Sequence, residues 1–355
     1  MLGISRRAAS YTWTAALTLL LLCLVYLMRR TLFVFILALL FAYLLAPLVS
    51  FLDRLLPASR TRAPALALAY IIFMTIVAFA GFQIGSRVAD EANAFAKRLP
   101  DMLASWQKPI PQASPGFNSI KDEIIGRIRQ EIGQASGNLI AEIPKAGLKA
   151  LSVATDLVYV VVVPILGFFF LKDGAVIRQH ILDLIPTDSR RTMIDDMMAD
   201  INLLLASYIR ALMLLALAAF TSYSIFFAIM RMPYAILLAA LAGLLEFIPM
   251  IGPLAAGITI VIVSLLSGVN ALIVLAFLLA YRVFQDYILS PHLMSQGVEL
   301  HPLAVLFGVF AGAEIAGIPG TFLSVPVLAL IRVIYLRIRK ARVAAELAPA
   351  PQERL

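Results

Sequence analysis

Eight long runs of apolar residues constrain the fold of this chain more than any other feature of its sequence. They lie at residues 13–28, 31–52, 64–84, 151–171, 203–230, 234–267, 271–289 and 302–336. One helical crossing of a bilayer needs about 20 consecutive apolar residues. Only helices and closed barrels satisfy their own backbone amides in hydrocarbon. The runs therefore predict an all-α polytopic membrane protein with about eight transmembrane helices.

The composition agrees with a chain embedded in a lipid bilayer. Of the 355 residues, 62% are hydrophobic and 14% are charged, whereas soluble domains carry about 25% charged residues. The net charge of +8 does not indicate a nucleic-acid partner, because arginines at the ends of apolar runs set membrane topology. The single cysteine, Cys23, excludes a disulfide within the chain and a metal site built from thiolates.

Changes in polarity divide the chain into parts. We expect an N-terminal three-helix transmembrane part at 1–85 and a helical extracytoplasmic segment at 86–150. A transmembrane transport core follows at 151–340, with a cytoplasmic loop at 172–200, and a disordered cytoplasmic tail occupies 341–355.

Orientation follows from the positions of Lys and Arg in the short loops. Basic residues are concentrated before the first run, in the loop 172–200 and after residue 336. Arg29 and Arg30, between the first two runs, are an exception to this bias. The bias predicts that both termini are cytoplasmic.

Segment 86–150 contains two amphipathic stretches. Apolar residues at helical spacing form the first, at Val88, Ala92, Phe95, Leu99 and Met102. The second has an isoleucine at every fourth position, at Ile120, Ile124, Ile128 and Ile132. We predict a helical cap packed on the bundle or on a neighbouring subunit. A lid over the transport pathway and a surface-lying membrane helix are the alternatives.

The polar loop 172–200 carries three aspartates within six positions, at Asp195, Asp196 and Asp200. Met193, Met197 and Ile201 share one helical face, so the aspartates are predicted to lie on a solvated face. A divalent metal site is the alternative interpretation of the same cluster.

Two apolar runs are too long for one crossing, and each is interrupted near its middle. The run 234–267 contains GLLEFIPMIGP at 243–253, and the run 302–336 contains GIPG at 317–320. Proline removes a backbone donor and clashes with the preceding turn. Paired Gly/Pro breaks are a sequence indication of a transporter binding region. Ordinary kinking with close packing through small residues is the alternative, and the pattern fits either a helical hairpin or a kinked single span.

Ionisable residues inside apolar runs are candidates for the transport pathway. With the break residues they give the candidate set Glu246, Pro249, Gly252, Pro253, Asp286, Arg282, Glu314, Gly317, Pro319, Gly320 and Arg210. Glu246 and Glu314 lie beside the breaks and could bind a cation, carry a proton or hydrogen-bond a polar solute. Arg282 and Asp286, four positions apart, could instead form a structural ion pair. Arg210 could snorkel to the interface.

Motifs that would indicate an enzyme or an ATP-driven pump are missing from the sequence. It contains no G-x-x-x-x-G-K-[ST], no H-E-x-x-H and no G-x-S-x-G. We therefore predict no catalytic activity, no cofactor and no resident metal. Transport would be passive or driven by an ion gradient.

Several stretches, taken in order, resemble the autoinducer-2 exporter family of bacterial membrane proteins. They are FFFLKDG at 168–174, SYIRA at 207–211, MPYAILLAALAGLLEFIPMIGP at 232–253, DYILSPHLMSQGVELHPLAVLFGV at 286–309 and GIPGTFLSVP at 317–326. The resemblance implies an eight-span, oligomeric permease of the bacterial inner membrane. It also implies export of the quorum-sensing furanone autoinducer-2 or, as in some members, sodium/proton antiport. Met250 stands where a tyrosine or another aromatic residue is commoner in the family.

Three functions remain open on the sequence alone. The leading one is a passive or gradient-driven exporter of a small polar solute. The first alternative is a monovalent cation/proton antiporter in which Glu246, Asp286 or Glu314 carries the exchanged charge. The second alternative is a channel-like or scaffold oligomer.

Overall fold

The computed structural model describes residues 6–56, 63–106, 126, 161–293 and 300–347. Its helices are α1 (Arg6–Leu27), α2 (Arg29–Leu55), α3 (Ala63–Trp106), α4 (Val163–Asp183), α5 (Asp188–Ile229), α6 (Ala235–Leu245), α7 (Ile251–Leu266), α8 (Ala271–Phe284), α9 (Ser290–Leu293) and α10 (Pro302–Leu347). A π-helical segment, Gln285–Leu289, joins α8 to α9. Within these ranges the chain contains no β-strand.

The prediction of an all-α polytopic membrane protein is confirmed. Six helices of the described chain are long and apolar enough to cross a membrane, namely α1, α2, α3, α5, α8 with the turns that follow it, and α10. The apolar helices α6 and α7 are shorter. The second amphipathic stretch (120–132), residues 151–160 of the fourth run and the tail from 348 lie outside the described residues.

The first of two compact units comprises residues 1–69 and 153–177. Helix α2 buries one stripe of small and aliphatic side chains, at Ala38, Ala42, Leu45, Val49 and Leu52, and it also buries Leu40. The ring of Phe35 on α2 packs edge-on against Phe170 of α4, with 6.2 Å between the ring centroids. From Ser10 onward, α1 exposes its apolar side chains on all sides, which suits a helix surrounded by lipid.

The second unit comprises residues 70–152 and 178–355. One core cluster draws its buried residues from α5 through α8, with Ala219, Tyr223, Phe227, Leu238, Ala239, Ala242, Ala256, Ile260, Val263, Val274, Leu278 and Tyr281 among them. Aromatic rings bring α5 and α8 together. Phe226 stacks on Phe277 with 3.7 Å between ring centroids, and Tyr223 lies 4.9 Å from Tyr281. Phe227 is fully buried in this cluster.

Helix α3 is continuous over 44 residues, a length of about 66 Å, or roughly twice the hydrocarbon thickness. The apolar run 64–84 and the first amphipathic stretch are therefore parts of one helix. Leu99 is buried and the four other apolar positions of that stretch are partly buried, so they form the inner face of α3. Asp90, Lys97 and Arg98 on the opposite face are exposed.

The aspartates of the polar loop are partly solvated and pair with arginines. Asp195 lies 2.7 Å from Arg178. Arg337 of α10 lies between two of them, at 3.1 Å from Asp196 and 2.6 Å from Asp200. The described residues contain no group of three or more His, Cys, Asp or Glu side chains that could hold a metal ion. The ion pairs give these carboxylates a structural role that the solvated-face prediction did not include.

The substitution Phe227→Ala tests the aromatic core of the second unit. We expect the free energy of unfolding to fall by about 3 kcal/mol, chiefly through lost packing, because lipid is itself apolar. Detergent-induced unfolding of the purified protein, followed by circular dichroism, measures this change. Phe82→Ala is the control, since Phe82 is 77% exposed. An equal loss in both variants would contradict the assignment of Phe227 to the core.

Candidate functional site

The first predicted break is a helical hairpin, which we name hairpin 1 (residues 235–266). Helix α6 has 11 residues and α7 has 16, or about 16 Å and 24 Å. Each is shorter than the hydrocarbon thickness of about 30 Å. Buried residues of both helices belong to the same core cluster, so the two arms pack side by side. Glu246 and the four residues after it form the turn.

Local backbone constraints explain why the chain reverses here. Met250 adopts a left-handed φ of 64°, which is uncommon for a residue other than glycine. A Cβ atom on Gly252 would overlap the carbonyl of Leu245, so only glycine fits at this position. Pro253 lies in the first turn of α7, where a helix needs no backbone donor. Pro249 and Pro253 therefore act as turn residues.

The second break is also a hairpin, which we name hairpin 2 (residues 302–347). Ala316 and Gly317 leave helical geometry, with φ of −143° and 63°. A Cβ atom on Gly312 or on Gly320 would overlap the backbone carbonyl of the other residue. An uninterrupted helix would separate these two residues by about 12 Å. The chain therefore turns back at Ala316–Gly317, with Pro319 just inside the second arm.

The turns of the two hairpins approach each other. Phe247 in the turn of hairpin 1 lies 5.8 Å, between ring centroids, from Phe322 at the start of the second arm of hairpin 2. Next to Phe322, the buried hydroxyl of Thr321 donates to the carbonyl of Ile318 at 2.6 Å. The two interrupted regions predicted from the sequence are thus brought together in space.

A buried polar pair lies at the turn of hairpin 1. Glu246 is 8% exposed and Gln285 is 3% exposed. The Nε2 of Gln285 donates to the carboxylate of Glu246 at 2.7 Å. Glu246 is the one buried carboxylate within the described ranges. Gln285 begins the π-helical segment, and π-bulges inside helices frequently occur at functional sites.

The pair keeps an unused hydrogen-bonding group. The Oε1 of Gln285 is buried without a partner among the described residues. Burial of an unpaired polar atom is costly, and such atoms usually meet a ligand, water or ion. The oxygen atoms of Glu246 and Gln285 can therefore accept hydrogen bonds from a ligand with several donors, or they can bind a cation.

An ion pair stands beside the buried pair. Arg282 Nε lies 2.9 Å from Asp286, and both side chains are partly exposed. The alternative prediction of an i, i+4 ion pair is confirmed in its geometry. Because Arg282 and Asp286 pair with each other, neither supplies a full counter-charge to Glu246.

The two remaining charged candidates lie near the turn of hairpin 2 and on α5. Glu314 is exposed near the turn of hairpin 2. Arg210 is exposed on α5, and its guanidinium bonds the carbonyl of Ala206 and the hydroxyl of Ser207 on the same helix. These local bonds match the snorkelling alternative for Arg210.

Two site features were missing from the predicted set. Gln285 is an amide inside an apolar run and adjoins Asp286, which is a signal that could have singled it out. Phe247 and Phe322 gave no such signal, because aromatic residues are common throughout the chain and their contact depends on two distant turns.

Comparison with known proteins identifies a family of membrane transporters. The family described as "AI-2E family transporter" matches residues 16–340. A "Putative transport protein" of Mycobacterium tuberculosis is 30% identical, over 83% of this chain and 79% of its own length. "Putative transport protein YueF" of Bacillus subtilis is 26% identical over 86% and 85%. "Putative permease PerM" of Escherichia coli K12 is 25% identical over 77% and 78%.

The substitution Gly252→Ala tests the turn of hairpin 1. We expect a loss of about 2 kcal/mol or more in the free energy of unfolding, because a Cβ atom would force the turn apart. Gly257→Ala in the same helix is the matched control, since nothing lies within 4 Å of the Cβ position there. Its expected effect is neutral or stabilising, because alanine favours helices. Detergent-induced unfolding of both variants measures the change in the free energy of unfolding. Equal losses in the two variants would contradict the close approach of Gly252 to Leu245.

Proposed function

The chain belongs to the AI-2E transporter family, and on that premise we propose that it carries a small polar solute across the bacterial cytoplasmic membrane between the two hairpin turns. The observation that supports this most is the buried Glu246–Gln285 pair beside the contact between the turns. Transporters of several families place their substrate sites where interrupted helices meet near the membrane midplane.

The chemistry of the pair favours a solute with hydroxyl donors. The carboxylate of Glu246 and the free Oε1 of Gln285 are both acceptors. A hydroxylated furanone of the autoinducer-2 class offers several hydroxyl donors, and the family resemblance points to the same class. Sites built around buried polar groups discriminate strongly against analogues that lack the matching donor.

The relative placement of the hairpins supports a pathway that runs between them. Arg337, near the end of hairpin 2, pairs with Asp196 and Asp200 at the start of α5. Hairpin 1 begins at Ala235, just after α5 ends at Ile229. The two hairpins therefore enter from opposite ends of α5. With both termini in the cytoplasm, hairpin 2 enters from the cytoplasmic side and hairpin 1 from the outside.

A monovalent cation/proton antiporter is the second candidate. Glu246 favours it, because a buried carboxylate inside a membrane-spanning segment can exchange a proton for a cation. Asp286 is a weaker choice, since Arg282 already neutralises it. A channel-like or scaffold oligomer is the third candidate. It predicts neither solute export nor sodium-dependent proton flux.

The substitution Glu246→Gln separates the first two candidates. An exporter of a neutral solute should keep its flux with a KM raised about tenfold, because an amide still offers one acceptor. An antiporter should lose sodium-dependent proton flux. Proteoliposomes with labelled solute and a pH-sensitive dye measure both fluxes, and Asp183→Asn is the control because Asp183 forms an exposed ion pair. Absence of both fluxes in the unsubstituted protein would refute both candidates.

The substitution Gln285→Met tests the amide of Gln285, because it removes both the free acceptor Oε1 and the Nε2 donor to Glu246. Methionine keeps the length of the side chain and removes the amide, so we expect the KM for the solute to rise about tenfold. Gln83→Met is the matched control, because Gln83 is exposed on α3. An unchanged KM in Gln285→Met would show that the solute does not use this acceptor.

A further inference from the structure

The first turn of hairpin 1 lacks a cap from its own chain segment. Tyr234 precedes α6 with a left-handed φ of 61°, and its side chain makes no capping hydrogen bond. The first backbone N–H groups of any helix have no partner within that helix. Here the N–H of Leu237 donates to the carboxylate of Glu91 at 2.8 Å, from a residue 146 positions earlier.

A carboxylate suits this position on electrostatic grounds. The N-terminus of a helix carries a partial positive charge, which an anion stabilises. Hydrogen bonds to an ionised acceptor are also stronger than neutral ones. Glu91 is partly buried on the inner face of α3, so water competes weakly for the bond. The capping group that Ser, Thr, Asp or Asn usually supplies at the N-cap is therefore supplied by another helix.

The same face of α3 contacts both ends of hairpin 1. Phe95 lies one turn after Glu91 and packs edge-on against Tyr234, with 5.1 Å between ring centroids. Leu99, a further turn along, clusters with Leu266, the last residue of α7. Three successive turns of α3 thus contact both the start of α6 and the end of α7.

Hairpin 1 carries Glu246 at its turn, nine positions after the capped amide. A displacement of hairpin 1 along α3 would break the Glu91 bond while the apolar contacts could slide. We propose that Glu91 is a positioning residue for transport, which caps α6 from α3 and holds hairpin 1 where Glu246 meets Gln285. This inference rests on the proposed function of the hairpin turns.

A positioning role predicts a particular kinetic change. If the cap sets the fraction of molecules with a correctly placed hairpin, its loss lowers that fraction and raises the apparent KM in proportion. The maximal rate at saturating solute stays close to that of the parent. Loss of folded protein gives the opposite result, a lower maximal rate with an unchanged KM.

The experiment compares Glu91→Met with Glu91→Gln in the full-length protein. Methionine removes the acceptor, whereas the glutamine carbonyl can still accept from the Leu237 N–H. In proteoliposomes we expect the KM for labelled solute to rise about fivefold in Glu91→Met and to stay near the parent value in Glu91→Gln. Asp90→Leu is the control, because Asp90 lies on the exposed face of α3 and its loss should change neither parameter.

Amide hydrogen exchange tests the cap without reference to transport. In the unsubstituted protein, the amide of Leu237 should exchange at least about fivefold more slowly than those of Ala235 and Ile236, to which no described side chain gives such a cap. Equal exchange at the three positions would overturn the proposal even if Glu91→Met does not fold. A glutamine variant as impaired as the methionine variant would also overturn it. Absence of solute flux in the unsubstituted protein would refute the proposed function alone. The hydrogen-exchange result would still show whether Glu91 caps α6.

Discussion

Backbone N–H and C=O groups within a bilayer need hydrogen-bond partners inside the protein, and the turns of both hairpins supply some of these partners locally. In hairpin 1 the turn keeps short-range bonds, from Ile248 to Leu245 and from Gly252 to Ile248, each at 3.0 Å. In hairpin 2 the hydroxyls of Thr321 and Ser324 donate to nearby backbone carbonyls. Interrupted helices are therefore stable here because their turns are bonded locally and packed against protein.

The polar pair depends on the same architecture. Glu246 could not remain buried at the end of α6 without a partner, and Gln285 reaches it from the start of the π-helical segment. The aromatic cluster of α5 and α8 places Tyr281 one turn before Gln285 and fixes the orientation of that helix. Packing between helices thus determines where the one buried carboxylate of the described chain lies, and the hairpin turns determine what lies next to it.

The sequence was sufficient for features that depend on local periodicity. Helical spacing predicted the inner face of α3 through Phe95 and Leu99, and the Gly/Pro clusters predicted both interruptions. It was insufficient to distinguish a kink from a reversal, because that outcome depends on the backbone contact between Gly312 and Gly320. The partners of Glu246 and Glu91 lie 39 and 146 positions away, beyond the reach of any local pattern. The change in polarity near residue 86 marks a change of environment, while the backbone of α3 continues through it.

The fork that Arg337 makes with Asp196 and Asp200 gives the two hairpins unequal sensitivity to their surroundings. All three side chains are partly exposed, at 28%, 54% and 43%, so dissolved salt screens their attraction over a Debye length of about 8 Å at physiological ionic strength. Hairpin 1 is held mainly by apolar contacts, which screening does not weaken. Higher ionic strength would therefore loosen the contact between hairpin 2 and α5 and leave hairpin 1 in place, so that the medium acts on one of the two interrupted helices.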